Sequence, residues 1–115
     1  MIAEGQVVLF KFPYSNLTEG KLRPALVIRR LPGNYDDWLI CMISSQAHQQ
    51  LSNINELIKP DDVDFIQSGL KTASVIRLFR LAVVEGSFLI GKIGQIDDSR
   101  LEKIKKTICK WIVGD

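Results

Sequence analysis

The sequence is poor in side chains that hold metals: one histidine, His48, and two cysteines, Cys41 and Cys109, in 115 residues. No set at zinc-ligand spacing can be drawn from them. No metal and no cofactor is therefore expected, and any hydrolytic chemistry has to work without a tightly held zinc. Both cysteines sit in apolar segments, where reduced, buried thiols are expected. Long hydrophobic runs are missing too. Residues 25–28 and 39–43 fall far short of the roughly 20 apolar residues that a membrane-spanning helix needs. The opening residues 1–5 carry neither a basic nor an apolar stretch, so no secretory leader is expected and the cytoplasm is the expected compartment. Repeats and polar low-complexity tracts are absent, which argues against disorder. Charge of one sign is not in excess either. A net charge of +2 permits a local phosphate-binding patch without demanding one.

What remains is an ordinary globular composition, 46% hydrophobic and 24% charged, with one domain over residues 1–115 expected. Residues 6–12 are rich in β-branched and aromatic side chains and stop at Pro13, as a strand would. Residues 14–21 read as a loop. Arg23 precedes Pro24 and must be extended, leading into a buried strand at 25–28. A turn at 32–37 precedes a third strand at 38–43, and a polar stretch runs from Ser44 to about Asn55. Residues 56–59 suit a short edge strand closed by Pro60, and 61–64 a turn or a single helical turn. Two longer strands are expected at 74–84 and 88–96, the second with Gly91 and Gly94 as bend or bulge positions. Then the period changes. Leu101, Ile104, Ile108, Trp111 and Ile112 fall at helical spacing, with Asp98 as the cap and Ser99 with Glu102 as a shifted capping box. The lysines at 103, 105, 106 and 110 fill the rest of that helix, as a solvated face. Short strands followed by one amphipathic helix predict a mainly β fold leaning to α+β: a small barrel with the helix packed on it.

In this order the fragments match a known pattern. Residues 5–13 (GQVVLFKFP) followed by 23–28 (RPALVI) resemble the opening of the MazF/PemK toxins of type II toxin–antitoxin systems. The resemblance continues at Ile43-Ser44-Ser45, at Gly69-Leu70 with 74–77 (SVIR), and at 91–94 (GKIG) before the final helix. It implies an SH3-like barrel, a homodimer, and metal-independent, sequence-selective cleavage of single-stranded RNA. It also implies neutralisation by a cognate antitoxin that covers the active groove.

Such a reaction turns the RNA's own 2′-hydroxyl on the adjacent phosphate. It needs a proton acceptor, a proton donor to the leaving oxygen, and positive donors around the phosphorane. Arg23, at a loop-to-strand junction, offers a planar fork matched to phosphate oxygens, and by the resemblance it matches the family's catalytic arginine. Ser44 can donate and accept and matches a position where the family usually carries threonine or serine. Ser45 is a weaker neighbour with the same chemistry. Arg77 matches an arginine that some members assign to acid catalysis. Those members carry an aspartate two residues later as the base, whereas here the place is held by Phe79, which cannot move a proton. His48 is of a type that titrates near neutral pH and could carry a proton, but a solvated loop histidine is the commoner case. Tyr14 could stack on a base or pack the loop. Lys11 and Lys21 could add phosphate contacts. Trp111 reads as core or dimer contact rather than a substrate platform. Two other functions fit the same frame: a non-enzymatic toxin that poisons a DNA gyrase, and a catalytically inert relative that only binds RNA or antitoxin.

Overall fold

A computed structural model of the chain describes residues 1–11, 22–45 and 54–114. The strands are β1 (Gln6–Lys11), β2 (Leu22–Arg30), β3 (Asp37–Ser44), β4 (Glu56–Ile58), β5 (Ser74–Glu85) and β6 (Leu89–Gln95). A short helix, α1 (Phe65–Ser68), follows β4, and α2 (Asp98–Val113) ends the described chain. All strand pairings are antiparallel, in the order β4-β5-β3-β2-β1-β6. The Arg23-Pro24 step lies in β2, as the proline demands, and β2 runs beyond the expected 25–28 at both ends. A single 3-10 turn, Gly86–Phe88, joins β5 to β6. Residues 61–64 form the turn that was one of the two expectations there, and the helical turn follows directly, at α1.

Alternation along the strands gives the sheet two apolar faces. One carries Val7, Leu26, Ile28, Cys41, Ile43, Ile76 and Leu78, and α2 covers it with Leu101, Ile104 and Ile108. The other carries Val8, Phe10, Ala25, Val27, Trp38 and Ile40, with Leu89 of β6. The first cluster is where the amphipathic period of α2 is spent. The stripe ends at Ile108: Ile112 is exposed, and Trp111 is 63% exposed although its ring leans on Phe79 with centroids 5.2 Å apart. Trp111 is thus a rim residue rather than core. Cys109 turns outward as well, because one helical step past Ile108 rotates it off the apolar stripe. Only Cys41 is a buried thiol.

Helix α2 is capped one residue earlier than the pattern suggested. Asp97 is the N-cap and accepts from the Ser99 N–H and hydroxyl, so Asp98 is the first helical residue. The lysine face is not wholly solvated: Lys103 pairs with Glu56 and Lys105 with Glu4.

The barrel is not closed by a ladder. Among the described residues β4 and β6 end the sheet and do not pair. Helix α1 packs against β6 instead, at a contact where the α-carbon of Gly94 faces the backbone of Gln67 and Ser68.

Candidate functional site

Cross-strand partners share a face, so the pairing registers locate the candidate side chains. Arg23 on β2 is opposite Phe10 on β1. The register that joins Leu26 to Cys41 and Ala25 to Met42, continued two residues further, aligns Arg23 with Ser44 on β3. Ser44 is opposite Val75 on β5, and Met42 is opposite Arg77. Two neighbouring rows result: Phe10, Arg23, Ser44 and Val75, then Val8, Ala25, Met42 and Arg77. Both belong to the face of the second cluster, away from α2. The three residues singled out for catalysis therefore meet on one face, at the end of the sheet where β1 and β3 finish and β2 begins.

Other candidates divide. Ser45 follows β3 directly and is exposed at the same end. Lys11 is opposite Leu22, one residue out of phase with Phe10, so the pleat turns it to the other face. Tyr14, Lys21 and His48 lie outside the described residues.

Charge accounting separates the arginines. Arg29 lies 4.0 Å from Glu4, and Arg30 lies 3.9 Å from Asp36. Arg100 is held by three carboxylates. Arg23 and Arg77 make no ion pair or hydrogen bond among the described residues. An unneutralised pair of guanidiniums on one face repels itself, and a polyanion relieves that repulsion.

Phe79 is on the other side. It packs into the α2-side cluster and against Trp111, so this position serves the helix rather than the face that carries Arg23. The two rows that hold Arg23, Ser44 and Arg77 contain no carboxylate.

A second charged cluster was not legible as a unit. Arg100 donates from Nε and Nη2 to both oxygens of Asp64 (2.7 and 3.0 Å), from Nη1 to Glu56 (2.9 Å) and the Leu57 carbonyl (3.0 Å), and from Nη2 to Asp62 (3.1 Å). Asp64 also accepts from the Asp97 N–H at 3.0 Å. Burial pushes the Asp64 carboxyl up, but the Arg100 guanidinium and the Asp97 N–H outweigh it and leave its pKa below the ordinary value. Asp62 is lowered too, first by the Lys59 N–H. The open cleft beside this cluster, about 620 Å³, is lined by Glu56, Lys59, Asp62, Arg100 and Lys103 among others. Its carboxylates Glu56, Asp62 and Asp64 are held by Arg100, with Lys103 also on Glu56, and it lies on the α2 side, away from Arg23. A signal for it existed: a cation in the first turn of a helix opposes the helix dipole, so Arg100 called for acidic partners.

Comparison with known proteins agrees with this architecture. Residues 3–112 match the family described as PemK-like, MazF-like toxin of type II toxin–antitoxin system. A search of curated proteins found no match. Among solved structures, a MazE–MazF complex from Deinococcus radiodurans superposes with TM-score 0.70 at 15% identity, covering 98% of this chain and 96% of that one. The Mycobacterium tuberculosis toxin MazF-mt6 gives 0.68 at 15%, covering 96% and 98%. An endoribonuclease from a mycobacterial species, solved with its cognate antitoxin, gives 0.69 at 12%, covering 100% and 98%. At these identities the likeness is one of fold.

Proposed function

The chain belongs to the PemK-like, MazF-like toxins of type II toxin–antitoxin systems, and from that premise we propose that it is a cytoplasmic endoribonuclease. It cleaves single-stranded RNA without metal, works as a homodimer, and is silenced by a cognate antitoxin lying over the same groove. The observation that carries this reading is the convergence of Arg23, Ser44 and Arg77 on one sheet face, with both guanidiniums unpaired among the described residues.

The roles follow from the chemistry. As the 2′-hydroxyl attacks phosphorus, negative charge grows on the non-bridging oxygens, and a guanidinium fork stabilises it more than it stabilises the ground state. Arg23 takes that role. A guanidinium is a poor proton acceptor at neutral pH, so Arg23 is not the base. Ser44, next to it, orients the phosphate or passes a proton along a hydrogen bond. Arg77, one row away, binds from the other side and assists the leaving 5′-oxygen. Phe79 gives the binding-only alternative its one foothold, since it stands where some relatives carry the aspartate used as the base.

The test is cleavage of a defined single-stranded RNA by antitoxin-free protein in excess EDTA. Cutting is expected to persist and to leave 2′,3′-cyclic phosphate and 5′-hydroxyl ends. Arg23→Ala is expected to lower the rate at least 100-fold, the scale of losing one transition-state donor, with the melting temperature unchanged. Intact RNA with wild-type protein sinks the nuclease reading. RNA binding without cutting would then identify an inert relative, and trapped cleaved DNA on a gyrase the alternative poison.

A further inference from the structure

We propose that Arg80 is a third cation of the groove and holds the phosphate flanking the scissile linkage; this rests on the nuclease reading above. The chain has six arginines. Three of them, Arg29, Arg30 and Arg100, have carboxylate partners. Arg23, Arg77 and Arg80 have neither an ion pair nor a hydrogen bond among the described residues. The unpaired set is thus the two candidate residues plus one that no pattern in the sequence singled out.

The local backbone explains how Arg80 joins them. Met42 and Cys41 are adjacent on β3, about 3.8 Å apart at Cα. Their partners on β5 are Arg77 and Leu81, four residues apart. The excess residues, Leu78, Phe79 and Arg80, form a bulge, and bulges re-aim side chains. Leu78 goes inward and is 2% exposed, Phe79 packs with Trp111, and Arg80 is left exposed. Phe79 and Leu81, on either side of Arg80, both pack on the α2-side cluster while Arg80 is exposed between them, so we place its guanidinium towards the opposite face, that of Arg77 and Ser44. Arg77 is the last paired residue before the bulge and Arg80 is the bulge's last residue. Arg80 stands beyond Arg77 as seen from Ser44, which suits a neighbouring phosphate and not the reacting one. The bulge separates two jobs: its apolar residues anchor the helix, while Arg77 before it and Arg80 at its end follow the nucleic-acid backbone.

The test uses the full chain and a fluorescent single-stranded RNA that spans a site mapped in the cleavage assay, 2′-O-methylated to block cutting. Binding is followed by anisotropy from low to high KCl. Each phosphate neutralised on a single strand adds about 0.7 to the steepness of log K against log salt. Arg80→Gln is expected to flatten the slope by about 0.7 and to weaken low-salt affinity roughly tenfold. Arg80→Lys should keep the slope. Lys106→Gln on α2 makes the same charge change on the opposite side and should leave it unaltered. With cleavable RNA, Arg80→Gln should raise KM with kcat within about twofold, the pattern of lost ground-state binding.

An unchanged slope in Arg80→Gln overturns the inference, as does an equal loss in Lys106→Gln, which would mean diffuse charge. A fall in kcat at constant KM also overturns it, by placing Arg80 at the reacting phosphate. If wild-type protein neither binds nor cuts RNA, the nuclease reading itself fails, and that is visible before any variant is made.

Discussion

Ser44 and Arg23 are chemically complementary because one can exchange a proton and the other can only donate hydrogen bonds. The β2–β3 register, continued two residues past Ala25 and Met42, sets them opposite each other, an arrangement suited to one phosphate touching both. The proposed site would draw its power from fixed charge, and the two rows that hold Arg23, Ser44 and Arg77 contain no carboxylate to lower it. The two thiols give an independent check on burial at this scale. Cys41 is fully enclosed, and desolvation pushes its pKa up to about 12, so almost no thiolate exists at pH 8. Cys109 faces solvent. Native protein is expected to release one equivalent of chromophore from a disulfide reagent, a second appearing only in denaturant. Cys109→Ser should abolish the first; rapid reaction of both thiols in native protein would show that the packing around Cys41 is wrong. Arg23 and Ser44 were singled out by the family resemblance, each also standing where an apolar run meets a polar stretch, and the fold sets both on one sheet face. Cys109 misled because an apolar neighbourhood in a helix says nothing of which side a residue faces until the stripe is fixed.

Elements are joined here by charge as well as by apolar packing. The Arg100 cluster ties the first turn of α2 to β4 and to the segment before α1, and Asp64 within it is 1% exposed. Removing one partner of such a pair leaves a desolvated charge and costs about 3 kcal/mol or more. Asp64→Asn is expected to lose about that much at pH 7 in urea titrations. The pH dependence has a definite sign. A carboxyl whose folded pKa lies below its unfolded value adds stability above the unfolded value, near 3.9, and that stability is lost as pH falls through the folded value. The gap between wild type and Asp64→Asn should therefore be full at pH 6–7 and shrink below about pH 4. A gap that stays constant down to pH 2.5 would mean that Asp64 acts through shape alone. Strand and helix identities were readable from period and from proline, but cap positions and the β5 bulge were not. A cap depends on one dihedral at Asp97 rather than Asp98, and both residues can accept the same bonds. A bulge depends on the partner strand, which no local pattern contains.

At the scale of the molecule, the open question for any barrel is how its two edges are protected. The class of fold followed from composition and order, but closure did not, because it depends on a contact between distant segments. Here the β6 edge is covered by α1, which lies directly on the backbone of β6. Gly94 makes this possible. A Cβ there would sit 2.2 Å from the Gln67 carbonyl oxygen and 2.3 Å from the Ser68 carbonyl carbon, whereas a Cβ on Gly91, three residues earlier in the same strand, would meet nothing within 4 Å. The two glycines form a matched experiment, since neither has a positive φ and both lie in β6. Gly94→Ala must push α1 off the sheet, and overpacking of this kind costs about 1–3 kcal/mol, whereas Gly91→Ala should be neutral or slightly stabilising. Gly94 pairs with Val7 on the α2 side, and the proposed groove lies on the other face. Folded Gly94→Ala protein should thus keep its RNA affinity while its unfolding midpoint drops. If the two substitutions destabilise equally, α1 is not what closes the edge; if Gly94→Ala loses RNA binding while still folded, the two faces of the sheet are not independent.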